Sequence, residues 1–292
     1  MKSTGINNAF FNPDRLQLFE QSLRAGERAE ATVRKYITDV RTFATYLYER
    51  MEAGCSRVDK DILLSYKKWL KENYAVSSAN SMLAALNQYL DYLGAPELKV
   101  KPYRMQRSLF LQEEKELTRN EFTRLVRAAD RDGKEWLALC METIAATGIR
   151  ISELSAFTVD AVKRGRIEIY NKGKYRRIFL PSKIRQKLTA YCRRHRIRVG
   201  VIFRNRRGEA LDRSRIWREM KSLKDRTGID PAKIFPHNLR HLFARVYYQC
   251  TRDLFGLADL LGHSNVNVTR IYTQNTGKIY QKQLDKMQIL RI

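Results

Sequence analysis

The stretch RIEIYNKGKYRRIFL, residues 166–180, departs from the helical periodicity that runs through most of the chain. Its apolar residues alternate with polar ones on both sides of an NKGK turn, which predicts two short antiparallel strands joined as a hairpin. Before and after it, apolar residues recur three and four positions apart, as they do in amphipathic helices. The sequence therefore predicts a mainly α-helical protein with a small β-hairpin or sheet.

Four or five helices are predicted ahead of the hairpin, over residues 8–95. In NPDRLQLFEQSL, Asn12 is placed as the N-cap and Pro13 at the first helical position. The helical repeat continues in EATVRKYITDVRTFATYLYER, DKDILLSYKKWLKENY and SSANSMLAALNQYLDYLG, and the last of these is stopped by Gly94. These segments predict a helical N-terminal domain over residues 1–100.

The next segment, APELKVKPYRMQRSLFLQEEKE, has two prolines and no clear period, which predicts a linker over residues 101–116. A second domain, 117–292, opens where Thr118 and Glu121 form a T-x-x-E capping-box pattern. An apolar helix, EWLALCMETIAATG, then stops at Gly148. Later helices are predicted in SKIRQKLTAYCRRHR, DRSRIWREMKSLKDRTG, HNLRHLFARVYYQC, DLFGLADLLG and around Tyr272.

The net charge of the chain is +25, and it is unevenly distributed. Residues 111–292 hold 39 Lys and Arg against 19 Asp and Glu, a net of +20, whereas residues 1–110 hold 17 against 12, a net of +5. Such an excess implies an anionic partner, with nucleic acid as the default. An anionic membrane surface is the weaker alternative, because no basic helix with an aromatic face stands out. With no apolar run of about 18 residues and no secretory signal pattern, we expect a cytoplasmic protein.

The four cysteines, Cys55, Cys140, Cys192 and Cys250, are far apart and include no CxxC pair. Cys140 and Cys250 stand in apolar helical patterns. The spacing predicts buried free thiols in a reducing cytosol, in preference to disulfides or a zinc site.

Three of the four histidines lie late in the chain, and two of them share a helix face. PHNLRH puts His237, Arg240 and His241 at positions i, i+3 and i+4. We reject a metal site here, because the arginine repels a cation and no carboxylate or cysteine lies in register. Capping of a helix or packing in the core remains open for either histidine.

Three further motifs carry residues suited to phosphate chemistry. ATGIRISEL places Arg150 at the start of a helix, where it can face an anion or form a surface ion pair with Glu153. Lys172 stands at the tip of the hairpin, either reaching into a groove or simply solvated. LLGHSNVNVTRIYT sets a rare histidine, His263, nine residues before Tyr272, for which packing in the core is the alternative.

In this order and spacing, ATGIRISEL, NKGKYRRIFLP, HNLRHLFA and LLGHSNVNVTRIYT resemble the tyrosine recombinase (phage integrase) family. The resemblance covers residues from about 118 to 275 and is strongest to the simple Xer-type members. The helical front domain is similar to the core-binding domain of that family. Two departures are Asn171, where the family often has glycine, and Asn238, where it often has aspartate.

The resemblance implies a site-specific DNA recombinase that cleaves and rejoins strands through a covalent 3′-phosphotyrosyl intermediate. Matched residue by residue, the implied catalytic set is Arg150, Lys172, His237, Arg240, His263 and Tyr272. The resemblance also implies a supporting role for His241 and an orienting role for Glu153. No cofactor and no metal are implied.

Each residue type in that set suits a step of phosphoryl transfer. The guanidiniums of Arg150 and Arg240 can grip the non-bridging oxygens with paired N–H donors. The Tyr272 phenol attacks, with His237 as the base that takes its proton. His263 is expected to hydrogen-bond the phosphate, and Lys172 to protonate the departing 5′-oxygen.

Double-stranded DNA is the expected partner. The C-terminal segment GKIYQKQLDKMQILRI places Tyr280, Leu284 and Met287 at i, i+4 and i+7, which indicates an amphipathic helix. Such a helix either packs on its own domain or, as the resemblance implies, docks on a neighbouring subunit in a homotetramer on DNA. Accessory proteins are a further class of partner that the resemblance leaves open. Candidate phosphate or groove contacts are Arg34, Lys35, Arg41, Lys174, Arg176, Arg204 and Arg206.

Two other functions fit parts of the same pattern. A type IB topoisomerase-like strand transferase would use similar chemistry without a partner, and the C-terminal helix and small front domain argue against it. A catalytically inactive DNA-binding relative is the third hypothesis, and the complete set of six residues argues against that one.

Overall fold

A computed structural model of the chain describes residues 6–50, 57–104, 115–171, 174–262 and 266–269. The chain divides into two compact units, Met1–Arg107 and Ser108–Ile292. The described residues are mainly helical, with a two-residue ladder in the first unit and one hairpin in the second. The mainly α fold class predicted from the sequence is confirmed.

Four helices build the described part of the first unit. In chain order they are α1 (Pro13–Ala25), α2 (Glu30–Arg50), α3 (Lys60–Asn73) and α4 (Val76–Tyr92). Asn12 caps α1 by accepting a hydrogen bond from the Arg15 amide at 2.9 Å, and Pro13 occupies the first turn, as predicted. Asp59 caps α3 in the same way through the Ile62 amide. These local signals start the helices where the sequence places them.

The core of the first unit is rich in aromatic rings. Phe43 and Tyr66, both fully buried, meet edge to face with ring centroids 4.7 Å apart, and Phe11 and Tyr89 extend the cluster. A two-residue antiparallel ladder joins β1 (Ile6–Asn7) to β2 (Arg57–Val58). This ladder is not predicted from the sequence, because neither segment is long enough to show an alternating pattern.

The start of the predicted linker is bound to the first unit. The Asn87 side chain makes both of its hydrogen bonds to the backbone of Val100, and Asn80 does the same with Tyr103, each at 2.7–2.9 Å. Both asparagines lie on α4, so residues 100–103 run along that helix. The structure therefore gives the linker of 101–116 a fixed beginning on α4.

The second unit contains the remaining helices. In chain order they are α5 (Arg119–Arg131), α6 (Glu135–Thr147), α7 (Val159–Arg164), α8 (Ser182–Arg194), α9 (Arg213–Lys221), α10 (Lys224–Thr227), α11 (Pro236–Thr251), α12 (Leu254–Leu261) and α13 (Val266–Thr269). The capping box of Thr118 and Glu121 opens α5 as predicted. The single helix predicted over DRSRIWREMKSLKDRTG is wrong, because the chain turns at Ser222 and buries Leu223 between α9 and α10.

Helix α6 is the central element of the second unit. It packs against α5, α8 and α11, so apolar residues surround it on nearly all sides. Its Cys140 is a fully buried free thiol, as predicted, and burial raises the pKa of that thiol well above its usual value. The prediction is wrong for Cys250, which stands on the exposed side of α11 near its end.

The predicted hairpin is confirmed as β3 (Arg166–Asn171) paired antiparallel with β4 (Lys174–Phe179). Ile167 faces Ile178 and Ile169 faces Arg176 on the side turned toward the core, where the isoleucines are buried. The outer side carries exposed aromatic rings. Among the described residues, no helix is both long and apolar enough to cross a membrane.

Candidate active site

A glycine at the end of α6 determines where Arg150 stands. Gly148 has φ +64°, and a Cβ at this position would lie 2.3 Å from the Phe243 ring and 3.1 Å from Leu261. Only glycine accommodates both the left-handed backbone and this close approach. The chain therefore turns sharply beside Phe243 of α11, and Arg150 follows two residues later, ahead of a 3-10 turn over Ile151–Ala156.

Arg150 is held by a buried carboxylate. The Arg150 amide donates to Glu153 Oε2 at 2.7 Å, and Arg150 Nη1 lies 3.3 Å from Glu153 Oε1. Glu153 is buried, whereas 39% of the Arg150 side chain remains exposed. The ion pair left open by the sequence is thus formed, and it orients the guanidinium while leaving part of it in contact with solvent. The orienting role expected for Glu153 agrees with these contacts.

Helix α11 brings His237 and Arg240 to the same place. Arg240 is only 1% exposed, and it donates from Nη1 to the Gly148 carbonyl at 2.6 Å and from Nη2 to the Leu261 carbonyl at 2.7 Å. These carbonyls end α6 and α12, and a cation is favourable at the negative end of a helix dipole. Arg240 therefore ties α11 to the ends of two other helices. One of the two carbonyls, that of Gly148, stands two residues before Arg150.

His237 lies within the electrostatic field of this cluster. Burial of its ring, followed by neighbouring His241, Arg240 and Arg150, lowers the pKa of His237 to about 4, and Glu116 acts in the opposite direction. The residue as a whole is still exposed, so solvent screens part of this electrostatic effect. At neutral pH the imidazole is uncharged and can accept a proton.

A carboxylate just before α5 completes the surroundings of His237. Glu116 Oε1 lies 3.3 Å from His241 Nδ1, and the His241 ring meets the His237 ring at a centroid distance of 4.6 Å. Glu116 Oε2 lies 3.3 Å from Arg245 Nε. Although burial raises it, the hydrogen bond with His241 and the nearby positive charges bring the pKa of Glu116 below its ordinary value. Asn238 Nδ2 also donates to the Lys115 carbonyl at 3.0 Å.

The end of the predicted linker is thus attached to α11. Residues 115–117 contact Asn238, His241 and Arg245, which follow one another along that helix. An aspartate at position 238 would have no N–H to donate to the Lys115 carbonyl. The departure from the family pattern at Asn238 therefore has a structural consequence.

The pKa shift of His237 gives a pH prediction. We expect the His237 ring of the DNA-free protein to titrate well below pH 6.5, because its folded environment disfavours the imidazolium. Since the unfolded chain binds that proton more readily, protonation destabilises the fold as the pH falls from about 6.5 toward 4. Replacing Glu116 with glutamine removes the opposing charge and should lower the pKa further. NMR titration, with the resonance assigned through His237→Gln, measures both; a midpoint at or above 6.5 in the wild type contradicts the prediction.

Of the six predicted catalytic residues, the structure brings Arg150, His237 and Arg240 together. Lys172, His263 and Tyr272 lie outside the described residues. Along the chain, Lys172 follows the last residue of β3, and His263 follows Gly262 at the end of α12.

One of the candidate phosphate or groove contacts is turned away from solvent. Arg176 is not on the surface: its side chain is 13% exposed, Nη2 lies 2.5 Å from Glu153 Oε2, and Nη1 donates to the Leu260 carbonyl at 2.8 Å. It faces inward because the register of the hairpin pairs it with buried Ile169. Arg41 and Arg206 are exposed, as surface contacts require, and Lys35 is bound to Asp39 at 2.7 Å.

Each of the two units matches a known family model. Residues 115–278 match the model described as the phage integrase family, and residues 16–95 match its N-terminal SAM-like domain. The chain belongs to the phage integrase family. The predicted resemblance is confirmed, and the two matches lie within the two compact units of the structure.

The curated relatives of this phage integrase family member carry a more specific name. The tyrosine recombinase XerA of Pyrococcus furiosus is 26% identical over 260 residues, covering 86% of this chain and 88% of the relative. The tyrosine recombinase XerC of Herpetosiphon aurantiacus is 30% identical over 263 residues, covering 83% and 84%. This chain is accordingly a site-specific tyrosine recombinase, an enzyme that cleaves and rejoins DNA, as predicted.

A solved structure shows the same fold. The crystal structure of the XerH site-specific recombinase bound to its difH substrate, in a pre-cleavage complex, aligns with a TM-score of 0.71 at 19% identity. The alignment covers 94% of this chain and 84% of that one. At this level of identity the likeness establishes the fold of the integrase family member.

Proposed function

We propose that this recombinase cleaves DNA by attack of the Tyr272 phenol oxygen on a backbone phosphorus. A bond forms between the phenol oxygen and phosphorus while the bond from phosphorus to the 5′-oxygen breaks. The products are a 3′-phosphotyrosyl link and a 5′-hydroxyl. Attack by the 5′-hydroxyl of another strand then restores a phosphodiester and releases the tyrosine, so no external energy source is required.

The observation that carries the proposal is the convergence of Arg150, His237 and Arg240. They come from the loop after α6 and from α11, and the hydrogen bond from Arg240 to the Gly148 carbonyl joins these two segments two residues before Arg150. Both arginines also contribute to the low pKa of His237. Arg150 and His237 are both partly open to solvent. A cluster with this charge and access is suited to a phosphodiester, which is anionic.

Arg150 is the guanidinium best placed to meet the phosphate first. Its exposed N–H groups can donate in pairs to the two non-bridging oxygens, whose charge grows in the transition state. Glu153 holds the side chain in place before the substrate arrives, so little reorganisation is needed. One such preorganised donor contributes about 3 kcal/mol to transition-state stabilisation in enzymes.

Arg240 has a second task in addition to the phosphate contact. Its bonds to the Gly148 and Leu261 carbonyls hold the turn that carries Arg150.

The remaining roles concern protons. The Tyr272 proton passes to the neutral imidazole of His237, whose low pKa keeps it ready to accept at neutral pH. Lys172 gives a proton to the departing 5′-oxygen, and His263 hydrogen-bonds the phosphate. The order of the motifs supports these assignments for Lys172, His263 and Tyr272.

Trapping of a covalent complex tests this proposal. The full chain is incubated with an end-labelled pool of randomised duplexes, nicked so that the cleaved end diffuses away, and complexes that survive denaturation are collected and sequenced. We expect an adduct enriched for one sequence. Failure of the wild-type chain to form any adduct with the pool, under conditions where it binds DNA, would contradict the proposal.

We also propose that the chain assembles as a tetramer on DNA through its C-terminal segment, 277–292. The apolar positions Tyr280, Leu284 and Met287 support a helix that buries one face on a neighbouring subunit. Replacing Leu284 and Met287 with serine should leave binding of a single DNA site intact and reduce the mass of the complex, measured by light scattering. Lys282→Gln, on the opposite face, is the matched control. A tetramer that survives the double replacement contradicts this assembly.

We place the recombinase in the cytoplasm, in contact with cellular DNA. Buried free thiols at Cys140 and Cys192 support a reducing compartment. Fractionation of cells that produce a tagged chain tests this, and recovery of the protein outside the cytoplasmic fraction contradicts it.

A further inference from the structure

Arg176 is a charged residue on the apolar side of the hairpin. Its cross-strand neighbour is Ile169, and Ile167 and Ile178 face the same side. Placing a guanidinium there is costly unless each charge and N–H group finds a partner. Its partners therefore indicate why an arginine occupies this position.

The first partner connects Arg176 to the loop of Arg150. Arg176 Nη2 lies 2.5 Å from Glu153 Oε2, the same oxygen that accepts the Arg150 amide at 2.7 Å. The other oxygen of Glu153 pairs with Arg150 Nη1. One buried carboxylate is thus shared by an inward arginine and by the arginine that we assign to the phosphate.

The second partner is the end of α12. Arg176 Nη1 donates to the Leu260 carbonyl at 2.8 Å, and Arg240 Nη2 donates to the next carbonyl, Leu261. Two guanidiniums therefore hold successive carbonyls at the negative end of this helix. Arg176 approaches from the hairpin and Arg240 from α11.

The chain also passes directly over the Arg176 side chain. A Cβ at Gly262 would lie 2.7 Å from Arg176 Cδ and 3.1 Å from Nη1, and Gly262 has φ +65°. A glycine is needed here to let the backbone approach the arginine. The next residue in the chain is His263.

We propose that Arg176 is a positioning residue for strand cleavage: by bridging Glu153 and the last turn of α12, it fixes where the chain entering His263 stands relative to Arg150. The inference rests on the proposed function, in which His263 and Arg150 contact the same phosphate. The bridge requires two N–H groups directed at two acceptors, which a guanidinium provides and an ammonium, a single point of charge, does not.

The test compares Arg176→Gln and Arg176→Lys with Arg177→Gln, using the full chain and the DNA sequence obtained by trapping. Arg177 is the matched control, because it is the next residue, faces outward with 47% of its side chain exposed, and pairs only loosely with Glu168 at 3.7 Å. DNA affinity and the rate of adduct formation at saturating protein are measured separately. Arg176→Lys keeps a positive charge beside Glu153. The thermal transition of each variant is measured, so that any loss of fold in the glutamine variant is identified.

We expect both Arg176 variants to form the adduct on the order of 10²-fold more slowly at saturation, as for a small misplacement of reacting groups, with DNA affinity unchanged. Arg177→Gln should match the wild type. The double variant Arg176→Gln, His263→Ala should form the adduct no more slowly than the slower of the two single variants, because the two changes affect one interaction.

Three results would overturn the inference: wild-type rates for both Arg176 variants, weaker DNA binding with an unchanged rate at saturation, or rate losses that multiply in the combination with His263→Ala. The second result would make Arg176 a DNA contact. Absence of an adduct with the wild-type chain would instead count against the proposed function, so the two failures are distinguishable.

Discussion

Replacing Tyr272 with phenylalanine should abolish the covalent protein–DNA adduct while leaving DNA binding intact. The change removes the oxygen that, in the proposed mechanism, forms the new bond to phosphorus, and it keeps the aromatic ring. The adduct is measured on a denaturing gel, with a DNA duplex that carries the sequence enriched by covalent trapping. Binding of the same duplex is measured by a native gel shift.

The reason for so complete a loss is that no other group replaces the phenol. A tyrosine has a pKa of about 10, so only about one phenol in a thousand is ionised at pH 7. In the proposed mechanism, the cations around the phosphate and the neutral His237 activate the attacking Tyr272, and a tyrosine outside the site would gain no such activation. Tyr48→Phe, at an exposed position in the first unit, serves as the control and should behave as wild type. Persistence of the adduct in Tyr272→Phe would assign the nucleophile to another residue.

Replacing Arg150 with lysine should slow adduct formation by on the order of 10²–10³-fold at saturating protein. The lysine keeps the positive charge, so attraction to DNA changes little. It loses the pair of parallel N–H donors that match the two oxygens of a phosphate, and those donors matter most as charge develops in the transition state. The effect should therefore fall on the rate and much less on the affinity.

Arg226→Lys is the control for the loss of a guanidinium as such. Arg226 is an exposed arginine that also pairs with a carboxylate, Asp132, but it belongs to α10. Its replacement should leave the cleavage rate unchanged. A loss of affinity in Arg150→Lys with a normal rate at saturation would show that Arg150 attracts DNA without acting on the transition state.

Most of the fold could be predicted from local patterns. The caps of α1 and α5, the stop of α6 at Gly148 and the hairpin around NKGK all depend on residues close together in sequence. The break between α9 and α10 and the ladder of β1 with β2 could not, because burial of Leu223 and a two-residue pairing are decided by tertiary packing.

The site divides in the same way. Arg150, His237 and Arg240 could be named from their motifs, and the structure brings them together. The motifs do not reveal that Arg240 is buried against two helix ends or that Arg176 faces inward. Glu116 was missed entirely, since its partner His241 lies 125 residues away and no local signal marks the pair. Long-range pairings of buried charge depend on the assembled core.

Mass spectrometry of the trapped adduct identifies which residue of the recombinase attacks the DNA backbone. After protease digestion, the peptide that carries DNA is sequenced and the end of the DNA attached to it is identified. We expect a phosphate at the 3′ end of the cleaved strand, esterified to Tyr272. Linkage to a different residue, or through a 5′-phosphate, would contradict it.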